Sequence, residues 1–230
     1  MRFFNALARA TLCLLAVFMI SRPVFGQSRW DAPSIVTTNC SGCHGIDGNI
    51  ELRYFPKVAG LDAAYAEKKM AGFKETPSPS VDELYSWIRN AFSKAKKNST
   101  GDPTRNELIY MIGPAHTTKP EAIKQAALWY AKQRPAPGRT GDQDRMREGQ
   151  ELFAKGVPGQ NVLPCVSCHG QDAEGQEAGP RLAGQNPAYI EAQMGKFRNG
   201  DRRHAPVMSE VSRDLTPEQA RAIAVYLASR

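Results

Sequence analysis

Two five-residue stretches, Cys40-Ser41-Gly42-Cys43-His44 and Cys165-Val166-Ser167-Cys168-His169, constrain this chain more than anything else in it. In each, two thiols stand three positions apart and a histidine follows directly. That spacing suits covalent haem attachment: the thiols take up the two vinyl groups of one haem as thioethers, and the adjacent imidazole binds the iron as proximal ligand. Cys40, Cys43, Cys165 and Cys168 are therefore read as attachment residues for two haem c groups, with His44 and His169 on the irons. A zinc ribbon needs its Cys-x-x-Cys pairs about 15–20 residues apart, whereas these lie 125 positions apart. A thioredoxin-type dithiol gives no reason for a histidine after each pair.

The fifth cysteine, Cys13, lies in an N-terminal run laid out like a secretory signal. Arg2 and Arg9 give a positive start, Ala10 to Ile20 form an apolar core, and Val24-Phe25-Gly26 ends small. Residues 1–26 are expected to be a signal peptide, with Gln27 as the mature N-terminus and the periplasm as destination. The alternative, an uncleaved anchor, needs about 20 apolar residues to span a bilayer, and this core has eleven. Cleavage removes three of the chain's 30 basic residues and leaves its 23 acidic ones, and haem propionates offset more of the excess. No nucleic-acid-binding motif is present. A modest basic bias before residue 135 suits an acidic redox partner. The 41% hydrophobic fraction argues against disorder.

The chain repeats itself. Pro56-Lys57-Val58-Ala59-Gly60 answers to Pro180-Arg181-Leu182-Ala183-Gly184, and Tyr65, Met70 and Phe73 answer to Tyr189, Met194 and Phe197, all at an offset of 124. Further on, Met111 with Pro120-Glu121 answers to Met208 with Pro217-Glu218 at an offset of 97. The first copy therefore carries about 27 extra residues between Phe73 and Met111. The expected organisation is a first domain at 27–134, a proline-rich linker at 135–141 and a second domain at 142–230. The extra segment reads as an inserted helix at about 76–100, with a capping box at Ser80 to Glu83 and an apolar stripe including Trp87 and Phe92. That stripe either packs on its own domain or docks a partner.

Each copy has one plan: a helix into the Cys motif, a Gly-rich loop, a short helix, a loop bearing Met111 or Met208, and a closing helix. Asp144 to Lys155 is the clearer of the leading helices, that from Trp30 to Thr38 the weaker. The closing helices begin at Pro120 and Pro217. Ile123, Ala127, Leu128 and Tyr130 are expected inward in one, and Ala222, Ile223, Val225, Tyr226 and Leu227 in the other.

A haem iron that only passes electrons needs a second axial ligand, and a methionine thioether both raises its potential and closes it to substrate. Met208 and Met111 occupy matching places and are assigned that role; Met70 and Met194, mid-helix in apolar patterns, are assigned to core filling. His116 is an alternative ligand for the first iron, and His204 reads as an exposed loop residue. The carbonyls of Pro56 and Pro180 are placed to accept the proximal His N–H. Arg198, Arg202 and Arg203 form a basic loop suited to propionates or simply to solvent.

From Cys165-Val-Ser-Cys168-His169-Gly170 through Gly179-Pro180-Arg181-Leu182-Ala183-Gly184-Gln185 and Phe197-Arg198-Asn199-Gly200 to Met208, the second copy resembles the dihaem class I cytochromes c of the cytochrome c-four type. The first copy shares the resemblance outside its insertion and the sequence Ile109-Tyr110-Met111-Ile112-Gly113. The resemblance implies an all-α fold of two tandem cytochrome c domains, each wrapped round one haem, with axial pairs His44/Met111 and His169/Met208. It implies a periplasmic carrier of single electrons. The donor would be a dehydrogenase or quinol-oxidising complex and the acceptor an oxidase or reductase. It fits a carrier free in solution or one held at a membrane complex. Two alternatives stand beside it: a dihaem redox enzyme of thiosulfate dehydrogenase or peroxidase type, and an electron-accepting cytochrome subunit of a dehydrogenase.

Overall fold

The closing helix of the second copy shows how this sequence builds its core. In a computed structural model, which describes residues 31–53, 55–75, 80, 82, 104–202 and 205–230 (104–110 as backbone), that helix spans Pro217–Ala228. Thr216 accepts the Gln219 N–H while the Gln219 side chain returns to the Thr216 N–H, a capping box that satisfies two otherwise orphaned donors. Ala220, Ala222, Ile223, Ala224, Tyr226 and Leu227 are buried on one stripe.

In chain order the labelled helices are α1 Ser41–His44, α2 Ala63–Lys74, α3 Thr104–Thr117, α4 Pro120–Ala131, α5 Gln143–Lys155, α6 Val166–His169, α7 Pro187–Arg198, α8 Pro206–Ser212 and α9 Pro217–Ala228. A π-helical turn, Val36–Cys40, leads into α1. Among the described residues the only β pairings are two isolated bridges, Val157 with Val162 and Gln176 with Gly179. The fold is all-α, and from Ala32 to Arg230 it forms one compact unit.

Two cores sit within that unit, one from each copy. The second holds Phe153, Ile190, Leu215, Ile223 and Leu227, with Met194 packed at its margin as a core-filling thioether. Helices α5 and α9 cross in close contact at Gly149, where a Cβ would stand 2.1 Å from the Ala222 carbonyl oxygen. Just beyond, the rings of Phe153 and Tyr226 meet at 5.5 Å. Among the described residues the first core is built on Val36, Ala126, Trp129 and Tyr130.

Leu128 departs from expectation: it is 43% exposed. Five positions on from buried Ile123, it lies about 140° round the helix from it, while Trp129 takes the inward place. Trp129 Nε1–H donates to the Ile46 carbonyl at 2.7 Å, and Tyr130 O–H to that of Gly45 at 2.9 Å. These bonds satisfy the polar tips of two buried aromatics and hold the loop after His44 against α4.

The duplication is visible in backbone hydrogen bonds. Val58 and Ala59 N–H donate to the Gly48 carbonyl, as Leu182 and Ala183 donate to that of Ala173. Gly60 donates to Tyr130 O, as Gly184 donates to Leu227 O. Gly48 and Ala173 share a left-handed φ, 76° and 56°, so the second copy holds an alanine where the turn favours glycine.

The segment 135–141 is bound to both copies. Ala136 N–H donates to Asn49 Oδ1 at 2.7 Å, Arg139 N–H to the Ala228 carbonyl at 2.7 Å, and Arg139 pairs with Glu51 at 2.9 Å. The expected signal segment 1–26, with Cys13, lies outside the described residues, as do Trp30 and, apart from Ser80 and Asp82, the inserted helix at about 76–100.

Candidate functional site

Each Cys-x-x-Cys-His stretch folds as a single helical turn, α1 or α6, with Cys40 or Cys165 at its N-cap. The two thiols of a pair therefore stand one turn apart on one face, and the histidine closes the turn. Gly45 and Gly170 follow with φ of 77° and 86° and turn the chain away. In the second copy the turn is moored by the Cys165 N–H, which donates to the Phe153 carbonyl at 2.9 Å.

Both histidines are buried, and each donates its Nδ1–H to a proline carbonyl: His44 to Pro56 at 3.0 Å and His169 to Pro180 at 2.8 Å. The acceptor being a carbonyl, Nδ1 carries the proton and Nε2 holds the lone pair that a metal needs. His169 Nε2 is buried without a hydrogen-bond partner. Burial pushes both imidazoles below their usual pKa, against a smaller upward pull from the proline bonds, so both are neutral near pH 7. A Cβ on Gly179 would come within 2.9 Å of the His169 ring, so the bare glycine lets the backbone approach the imidazole.

The four motif cysteines are partly buried and unpaired. As thiols, Cys40 and Cys165 are pushed up to about 11, chiefly by burial and further by Cys43 and Cys168 respectively. A redox-active dithiol needs a depressed pKa, so the environment opposes that reading. In each copy, paired thiols on one turn and a neutral, oriented imidazole fit covalently held haem, and in the second copy the partnerless Nε2 adds to that fit.

The two methionines are on helices rather than loops. Met208 is the third residue of α8, which Pro206 starts, and Met111 lies mid-way along α3, which runs through Pro114. Both are partly buried. Helix α8 packs on α7, and α3 packs on α2. Pro206 stands at the first helical position, where a proline starts a helix and its missing N–H costs nothing. His116 is exposed in the last turn of α3. Of the basic loop, Arg198 donates to the Leu215 carbonyl at 3.1 Å and Arg202 is buried; Arg203 and His204 lie outside the described residues.

Sequence reasoning missed the residues that join the two copies. Gln185 and Asn186 are buried and bond to the backbone of residues 50–57. The available signal was a break in the repeat, since Leu61-Asp62 stands at the matching place.

Two helical cores, each presenting a Cys-x-x-Cys-His turn with its histidine oriented by a proline carbonyl, define a dihaem c-type cytochrome. Residues 146–230 match the family model described as Cytochrome c. Cytochrome c-554(548) of Halomonas halodenitrificans is 35% identical over 69 residues, covering 29% of this chain and 83% of that one. Cytochrome c-552 of Acidithiobacillus ferridurans is 28% identical over 219 residues, covering 94% and 84%. The thiosulfate dehydrogenase electron acceptor of Thiomonas intermedia is 28% identical over 209 residues, covering 87% and 82%. Among solved structures, Acidithiobacillus ferrooxidans cytochrome c4 superposes with a TM-score of 0.65 at 28% identity over 84% of this chain and 99% of that one. Thiosulfate dehydrogenase TsdBA of Marichromatium purpuratum gives 0.63 at 26% identity, over 83% of this chain and 36% of that longer one. The chain belongs to the cytochrome c family, as a dihaem electron-transfer cytochrome of the cytochrome c4 type.

Proposed function

We propose that the mature protein, from about residue 27, works in the periplasm as a carrier of single electrons between a respiratory donor and an oxidase or reductase. Two domains, 27–134 and 142–230, each hold one haem through Cys40 and Cys43 or Cys165 and Cys168. His44 with Met111 and His169 with Met208 would hold the two irons. Bound haem supplies reversible one-electron chemistry at iron. The chain's own residues do the rest. The proline carbonyls fix the imidazoles and raise their basicity. The Met111 and Met208 thioethers would favour the ferrous state and leave the irons closed to substrate, which favours a carrier over an enzyme.

The observation that carries this reading is the buried, unpartnered His169 Nε2 on a ring already oriented by Pro180. The test is to mature the protein with haem and titrate it. Two haems per chain, both reversibly reduced and neither binding external ligand, support the reading; an iron that turns over peroxide or thiosulfate without a partner overturns it.

The relatives favour one donor class. A thiosulfate dehydrogenase electron acceptor aligns over most of this chain, so a thiosulfate dehydrogenase is the donor we infer. Fast reduction by such an enzyme with thiosulfate supports it, and no reduction sinks it.

A further inference from the structure

The loop that follows each proximal histidine is held differently in the two copies. In the first, the Gly45 carbonyl accepts from the Tyr130 O–H at 2.9 Å, and the next carbonyl, that of Ile46, accepts from Trp129 Nε1–H at 2.7 Å. Gly45 O also accepts from the Gly48 N–H, at 3.4 Å. At an offset of 97, the counterparts of Trp129 and Tyr130 on α9 are Tyr226 and Leu227. The Leu227 side chain has no hydrogen to donate. Tyr226 has other neighbours: its ring meets that of Phe153 at 5.5 Å and the Arg230 guanidinium at 5.6 Å. The matching Gly170 carbonyl accepts from the Ala173 N–H at 3.1 Å.

The turn differs together with its neighbour on the helix. A Cβ on Gly48 would stand 2.9 Å from Tyr130 Cδ1 and 2.6 Å from the Ala59 nitrogen. The second copy has Ala173 at that place, wholly buried at a left-handed φ of 56° and in the same core as Leu227. Bare turn and phenol thus go together in the first copy, methyl and leucine in the second. The Tyr130 ring takes the space of a methyl and brings an O–H donor to the residue after His44.

His44 is therefore held from two sides, through Pro56 at its ring and through α4 at the peptide that follows it. Polar groups already fixed in place have little to rearrange when charge changes beside them. We propose that Trp129 and Tyr130 are positioning residues for the first iron, pinning the loop after His44 so that electron exchange at that haem needs less rearrangement. The second haem lacks this lock, so the two centres differ although their attachment turns match. The inference rests on haem held by Cys40, Cys43 and His44, and not on the donor, the acceptor or either sixth ligand.

The test compares wild-type holoprotein with Tyr130→Phe, which removes the O–H and keeps the ring, and with Trp129→Phe. A pyridine haemochrome assay first establishes two haems per chain, so that loss of haem is separated from loss of the lock. Amide hydrogen exchange then follows Gly48, Val58 and Ala59, whose N–H groups close the first turn, against Ala173, Leu182 and Ala183, which close the second. Losing one hydrogen bond is expected to speed exchange at the first trio by about two- to tenfold and to leave the second trio unchanged. NMR exchange spectroscopy of the partly reduced protein is expected to show slower electron self-exchange at the first haem, with the second unaltered. If Tyr130→Phe does not mature with two haems, Trp129→Phe is read in the same way. Gly48→Ala is expected to lower the thermal midpoint less beside Tyr130→Leu than alone, since the two sites share one space. Unchanged amide exchange at the first trio, or equal changes at both, overturns the lock. Faster amide exchange with electron exchange unaltered at the first haem overturns the positioning role.

Discussion

Gln185 is clasped to the backbone of Lys57. Its Oε1 accepts the Lys57 N–H at 2.8 Å and its Nε2–H donates to the Lys57 carbonyl at 2.9 Å, closing a two-bond ring between the second copy and the first. Next to it, Asn186 Nδ2 donates to the carbonyls of Phe55 at 2.7 Å and Leu52 at 3.0 Å. These bonds hold the loop leading to Pro56, and Pro56 accepts from His44 at 3.0 Å. The second copy thus braces the residue that orients the first proximal imidazole.

Truncating the clasp leaves part-buried backbone groups of Lys57 without their partners, at up to about 1–3 kcal/mol for each group that water does not reach. Gln185→Ala is expected to lower the denaturation midpoint of the holoprotein and to move the first haem's potential more than the second's. Urea unfolding and a redox titration read both effects. Equal shifts at both haems contradict the coupling through Pro56.

Gly149→Ala tests the helix crossing. The added Cβ meets the Ala222 carbonyl oxygen at 2.1 Å and Tyr226 Cβ at 2.8 Å, both on α9. Overpacking of this kind costs about 1–3 kcal/mol, which outweighs alanine's higher helix propensity, about 1 kcal/mol. A lower thermal midpoint with the attachment chemistry intact is expected; unchanged or higher stability contradicts the close approach.

The closing helices and the Cys-x-x-Cys-His turns were legible in the sequence because each is written locally, whereas α3 and α8, which carry Met111 and Met208, were expected as loops. A Cys-x-x-Cys-His turn needs only five consecutive residues, and a Thr-Pro-x-Gln start needs four. Trp129 displacing Leu128 was not legible, because it depends on the carbonyl of Ile46 lying where an indole N–H can reach it. Nor was the hydrogen bond from Arg202 to the Tyr65 hydroxyl, between residues 137 positions apart. Tertiary neighbours decide both, and neither has a periodic signature.

Acid is expected to destabilise the protein through its histidines. His44 and His169 have folded pKa values below the unfolded value of about 6.5. As pH falls through about 6.5, the unfolded chain therefore binds protons before the folded one does. Stability is lost across the window from there down to the folded pKa values, and iron ligation acts in the same direction. Urea midpoints are expected to fall between about pH 7 and about pH 5.5, above the usual carboxylate range. A flat midpoint across that interval contradicts the neutral, buried imidazoles.

The two methionine assignments separate cleanly by variant. Met208→Ala and Met111→Ala are each expected to open one iron to carbon monoxide and to lower that haem's reduction equilibrium constant at least about tenfold, ~59 mV. If Met111→Ala leaves the spectrum unchanged, the first iron takes another sixth ligand, and His116→Ala is the variant that identifies it.

The central claim is a pair of closed, one-electron haem centres in one chain, and a spectroscopic redox titration of the mature protein tests it most directly. Two haems per chain, two reversible one-electron steps and a methionine–iron charge-transfer band from each ferric haem are the predicted result. A single haem, or an iron that is high-spin and open to ligand in the resting protein, would contradict it.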